Sequence, residues 1–199
     1  MKRHFRVPTI LFSGALVLAA IAKAQTPAPQ PIAANPDISQ SLSALADQPP
    51  THIGFVFDRS MLQSARKVLE SQGMTPERAA VALQSITYDN YIYRHPATYA
   101  PESMESILTT YRAAGWKHLV NAHEPAPDAP AHRMATDLWL HFSGSDIDGV
   151  TVLTRGSKDV NVVQVACDLR PMDLIHLGGH FGIPKVDPSA VMVPDPKDK

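Results

Sequence analysis

One cysteine, Cys167, is all that this chain of 199 residues contains. No disulfide can therefore close within it, and in an oxidising compartment the thiol must be buried, paired with another molecule or reactive. It ends the apolar run VNVVQVAC (160–167), a setting that favours burial, the common fate of a free cysteine. Blocks of basic charge are missing as well. With 18 Lys and Arg against 19 Asp and Glu, the net charge is −1. Without a Lys/Arg cluster, nucleic acid or an anionic membrane surface has no electrostatic footing as the main partner. The run ILFSGALVLAAIA (10–22) is too short to span a hydrocarbon core of about 30 Å comfortably, and no basic cluster follows it. No internal repeat is visible.

What is present at the start is an order. Lys2, Arg3 and Arg6 precede that apolar run, and Ala22 and Ala24 then stand at the −3 and −1 positions of a small-residue cleavage site. Basic, apolar and small segments in this sequence make residues 1–24 a secretory signal peptide. The expected mature chain starts at Gln25, is periplasmic or secreted, carries no lipid-modified cysteine and keeps no membrane span. Residues 25–50 are rich in Pro and Ala and read as a disordered tether. Residues 186–199, broken by Pro188, Pro194 and Pro196, read as a disordered tail. One α+β domain is expected over 51–185.

Within that domain HIGFVF (52–57) is a short strand or an extended lead-in. Met61, Leu62, Ala65, Val68 and Leu69 then share a helical face, with Asp58 or Ser60 as cap and Gly73 beyond the end. A second helix is expected from Thr75-Pro76-Glu77, with Ala79, Leu83 and Ile86 as its stripe, completing a helical hairpin. ITYDNYIYR (86–94) reads as a strand. Pro101, Glu102, the apolar set Met104, Ile107, Leu108 and Tyr111, and Gly115 define a further helix. Four strand segments follow, KHLVNAHE, RMATDLWLHF, GVTVLTRG and VNVVQVAC, and then a short helix from Pro171. In RMATDLWLHF the residues Met134, Thr136, Leu138, Leu140 and Phe142 alternate with Ala135, Asp137, Trp139 and His141. One face is apolar and the other mixed. Short connections imply an antiparallel meander. The expected fold is a mainly antiparallel sheet (strand, helix, four strands, helix) with helices on one face, preceded by the helical hairpin.

FDRSMLQSARKVL, YAPESMESI, AAGW and DLIHLGGHFGIPK occur in that order across Phe57 to Lys185. As a set they resemble the exported bacterial proteins of the domain of unknown function 4252 family. The resemblance implies an exported or envelope α+β domain with no assigned activity and no catalytic residues to carry over. Some relatives are lipid-anchored, which the missing cysteine does not match.

No stretch looks more like a site than LIHLGGHFGIPK (174–185). A phosphate cradle needs glycines before a helix, where free N–H groups point at an anion. Here they follow one, so a glycine helix stop is the better reading, with Phe181 or Ile183 folding back on Leu174. His176 and His180 have the i, i+4 spacing of metal ligands, with His141, His118, His123 or His132 as further candidates. The intervening glycines break their shared face. SGSDIDG (143–149) lacks the distal Glu of a calcium loop and reads as a hairpin turn. Cys167 and Asp168 are strand neighbours pointing apart, and no Gly-x-Ser-x-Gly elbow exists. Catalytic residues and cofactors are accordingly expected to be none. Tyr88, Tyr91, Tyr93, Tyr99 and Tyr111 serve either packing or a binding surface. The expected function is a non-catalytic, exported accessory module that binds another envelope protein through the uncovered sheet face or the tyrosine-rich edge. The alternative is a histidine-dependent metal-binding protein or hydrolase.

Overall fold

In a computed structural model, residues 35–75, 77–78, 82–120, 135–185 and 191–192 are described. The expected signal peptide, residues 25–34 and His123 and His132 lie outside that set. The elements run α1 (Ser39–Ser43), β1 (Thr51–Phe57), α2 (Gln63–Ser71), β2 (Leu83–Ile92), α3 (Pro101–Ala113), β3 (Lys117–Val120), β4 (Ala135–Ser143), β5 (Asp146–Arg155), β6 (Asp159–Leu169), α4 (Pro171–Leu177) and β7 (Val191–Met192). The strands form one antiparallel sheet in the order β1-β2-β6-β5-β4-β3-β7. The class is α+β.

The central strands explain the layering. In β5 and β6, Val152 and Val163 point into one buried cluster while Leu153 and Val162 point into another. An apolar residue at successive positions means that both faces leave water. On one face Leu138, Leu140, Val150, Val152, Val163 and Val165 pack beneath Ala65 and Leu69 of α2 and Leu174 and Leu177 of α4. On the other, Trp139, Leu153, Val160 and Val162 pack beneath Leu42 of α1, Ile107 and Tyr111 of α3, and Trp116. The expectation of helices on one face is thus corrected. Asp137 and His141 made the second face look mixed, but they are paired: Asp137 with His118 at 3.1 Å and Arg155 at 2.9 Å, and His141 with Asp148 at 2.6 Å.

Three boundaries are corrected too. The tether reading fails over residues 35–50, where Ile38, Leu42 and Leu45 are buried and Ala46 bridges to Tyr99. These three sit four and three residues apart, so one face is apolar although the average composition is not. Asp37 starts α1 by accepting the Ser39 N–H at 3.0 Å. The second helix of the expected hairpin does not hold Leu83 and Ile86. Both belong to β2, where the β-branched and aromatic run ITYDNYI takes over, and helical geometry is found only at Glu77, Arg78 and Ala82 among the described residues of that stretch. Within the expected tail, Val191 and Met192 pair with Val120 and Leu119. The SGSDID segment is a hairpin turn, with Ser143 opposite Asp146 and Gly144 at φ 64°.

Candidate functional site

The stretch 174–185 is assembled from the end of α4. The Gly178 N–H donates to the Ile175 carbonyl, the His180 N–H donates to Leu177, and Gly179 takes φ 88°. Glycine enters this left-handed region without the steric cost a Cβ brings, so it ends the helix. Ile183 turns back into the cluster that holds Leu174. Carbonyls, not N–H groups, end the helix here, so the polarity is wrong for phosphate.

The histidines do not converge. His176 is exposed, and the His180 ring lies beside that of Phe181, with centroids 6.4 Å apart. His141 is on β4 against Asp148 and tilted over Trp116. His118 stacks on Trp139, with centroids 5.0 Å apart. Among the described residues no three of His, Cys, Asp and Glu gather into a group that could hold a metal ion. Replacing Gly179 by Ala is expected to cost about 1 kcal/mol of stability through left-handed strain alone, because the new Cβ would meet only the Lys185 side chain, at 3.5 Å. Replacing His176 and His180 together by Gln should leave the melting temperature nearly unchanged. Zinc should not raise it in either protein, since a ligand stabilises only a state it binds. A zinc-dependent rise of several degrees in the wild type, absent from the double variant, would restore the metal reading.

Cys167 is buried and donates to the Ile147 carbonyl at 3.4 Å. Burial pushes its thiol pKa well up, which withholds the thiolate that nucleophilic chemistry needs. The tyrosines resolve mainly into packing. Tyr91, Tyr93 and Tyr111 are buried, and burial, with Asp89 adding to it, raises the Tyr91 hydroxyl to about 12. Tyr111 stacks on Trp139, and its hydroxyl donates to Thr151 and accepts from Gln164.

Exposed apolar surface gathers elsewhere, around β1. This strand ends the sheet, and its seven residues pair with β2 without a register shift. Ile53 is 50% exposed, Phe55 47% and Val56 58%. Beside it, between α2 and the β1–β2 pair, lies a cleft of about 470 Å³. Phe55, Phe57, Met61, Val68, Tyr88 and Phe181 are among its walls, and none of its described lining residues is charged. The Tyr88 hydroxyl donates to Asn161, so the ring is what faces the cleft. Sequence reasoning placed Met61, Leu62 and Val68 on one helical face with Ala65 and Leu69. These three are exposed or half-buried, with only Ala65 and Leu69 of that face in the core. The available signal was HIGFVF itself, an apolar strand without charge or proline.

Compared with protein-family models, with curated proteins and with solved structures, the chain matches none. No helix among the described residues is long and apolar enough to cross a membrane.

Proposed function

We propose that this chain is an exported, non-catalytic binding module of the bacterial cell envelope, of the kind its resemblance to the domain of unknown function 4252 family implies. Its partner adds a strand to the edge of β1 that no described strand occupies. The observation that carries the reading is the state of that edge. Edge strands of natural proteins are normally guarded by charge, proline, a bulge or brevity. Thr51–Phe57 has no Lys, Arg, Asp, Glu or Pro, no register shift against β2 and seven residues of length. The opposite edge, β7, has two residues among those described. An unguarded edge offers unpaired main-chain groups to an extended segment, and the side chains on either face supply specificity.

The test is capture of envelope proteins by the wild type and by two exposed-site variants, Val56→Lys and Met172→Lys. Both positions are more than half exposed, Val56 on β1 and Met172 on α4, so neither change should unfold the chain. A partner held by the wild type and Met172→Lys but lost from Val56→Lys is the expected result. A partner held equally by all three would sink the edge reading.

A further inference from the structure

We propose that the partner that extends β1 is a second copy of this chain, its β1 running antiparallel to the first across a two-fold axis normal to the sheet. This rests on the strand-addition reading and narrows it to one occupant.

Symmetry leaves little choice in how two such strands meet. Residues that face each other across an antiparallel join point to the same side of the sheet, and a two-fold axis normal to the sheet keeps each side where it was. Odd positions of Thr51–Phe57 must therefore face odd positions, and even positions even. One such register pairs all seven residues, with Gly54 opposite its own copy.

The pairs made in that register suit the side chains. On the cleft side of the sheet, Ile53 meets the partner's Phe55, and Phe55 meets the partner's Ile53. These residues are 50% and 47% exposed in the single chain, and aromatic with β-branched is a favourable cross-strand pair. Phe55 is already held for the purpose. It stacks on Tyr88, with centroids 5.0 Å apart, and meets Phe57 edge-on, so little freedom is left for it to lose on binding. On the other side Val56, 58% exposed, meets the partner's His52. Within each chain the His52 ring lies against Tyr91 and its Nε2 is engaged by Asp89 at 2.8 Å.

Charge singles out a copy as the occupant. With no Lys, Arg, Asp or Glu in β1, the strand meets itself without placing like charges opposite each other. The nearest charges, Asp58 and Arg59, follow its end. In the antiparallel join the two copies of Asp58 lie eight positions apart, roughly 27 Å at about 3.4 Å per residue, well beyond a screening length of about 8 Å. A parallel join would set them side by side. Each Asp58 faces the partner's Pro50, which has no N–H to continue the ladder. The net charge of the whole chain is −1, so two copies meet almost no long-range repulsion. A strand of other sequence finds no charge on this edge by which to be recognised, and a copy needs none. The join also closes at two, because each copy spends its β1 edge in making it.

Sedimentation velocity of the chain over micromolar to sub-millimolar concentrations reads the dimer, which wild type and Met172→Lys should form alike. Ile53→Lys and Phe55→Glu, each at a half-exposed position, should separately weaken self-association about tenfold or more, since each sets a charge against an apolar partner. An equimolar mixture of these two variants should dimerise more tightly than either alone, because the register brings the lysine of one opposite the glutamate of the other. No structural damage within one chain can produce that recovery. A wild type that stays monomeric, or a dimer untouched by both substitutions, would overturn self-pairing. Loss of both dimers without recovery on mixing would overturn the register. If the wild type is monomeric and Val56→Lys still loses a captured envelope protein, self-pairing alone has failed and strand addition stands.

Discussion

Asp173→Ala is expected to lower unfolding free energy by about 3–5 kcal/mol, the usual cost of stripping one partner from a buried ion pair. Asp173, at the third position of α4, is only 2% exposed. Its carboxylate accepts from the Arg170 main-chain N–H at 2.9 Å, from the Arg170 guanidinium at 3.0 and 2.8 Å, and from Arg78 Nε at 3.1 Å. It therefore caps the helix and ties it to the start of the segment leading into β2. Removing it leaves Arg78, whose Nη2 is already buried without a partner among the described residues, leaning on the longer 3.4 Å contact to Asp168. Burial by itself would raise the Asp173 pKa, but the hydrogen bonds from Arg170 and Arg78 and the charge of Arg170 outweigh it and bring the value to about 2. The unfolded value is about 3.9. Because the folded pKa is the lower one, the stabilisation is complete above the unfolded value and drains away as pH falls from about 4 through about 2. Guanidinium unfolding of wild type and variant at pH 7 and near pH 2 reads both claims. The gap between them should narrow by on the order of 2 kcal/mol at the acid end. A gap that stays constant would show that the carboxylate is not held ionised by these arginines.

Trp139→Ala is expected to cost about 3–5 kcal/mol, and Leu140→Ala, its neighbour on the opposite face, about 2–5 kcal/mol. Trp139 is 1% exposed, sits parallel to Tyr111 with centroids 4.7 Å apart and also stacks with His118. Were the second face of the sheet an open docking surface, an exposed tryptophan there could be removed for about 0.5 kcal/mol or less. Denaturant midpoints of the two single variants decide the matter. Large losses for both mean two cores, one on each side of the sheet, whereas a loss for Leu140→Ala alone would return the second face to solvent.

That contrast shows where sequence reading reached and where it stopped. Period-2 alternation in RMATDLWLHF separates Leu138 and Leu140 from Trp139, as the structure does, because one strand's pleat is a local property. The helix from Pro101 is equally local: Pro in the first turn, Glu102 near the positive end, Arg112 near the negative end and Gly115 at φ 82° past it. What covers the second face is not local. It depends on α1, whose anchors hide in a Pro- and Ala-rich segment, and on partner groups for Asp137 and His141 that lie on other strands. The consecutive apolar residues Val162-Val163 and Val152-Leu153 were the legible warning of burial on both sides. At the candidate site, the glycines and histidines of 174–185 drew notice. A residue that lines the cleft is Phe181, at φ 54°, and nothing in its side chain announces a left-handed backbone.

The pairing of β2 with β6 has a consequence for how the chain comes together and opens. β4, β5 and β6 are sequential neighbours that can zip by short turns, but β2 reaches β6 only after α3 and three strands have been made. Closing that long loop is the entropically late step, and β1 follows through β2 alone. The continuous sheet thus joins strands made early, β4 to β6, to a β1–β2 pair that local closure alone cannot place. Amide hydrogen exchange should find β1 opening at lower free energy than β5 and β6. Whatever extends the β1 edge then acts as the clasp that holds this late-placed pair shut.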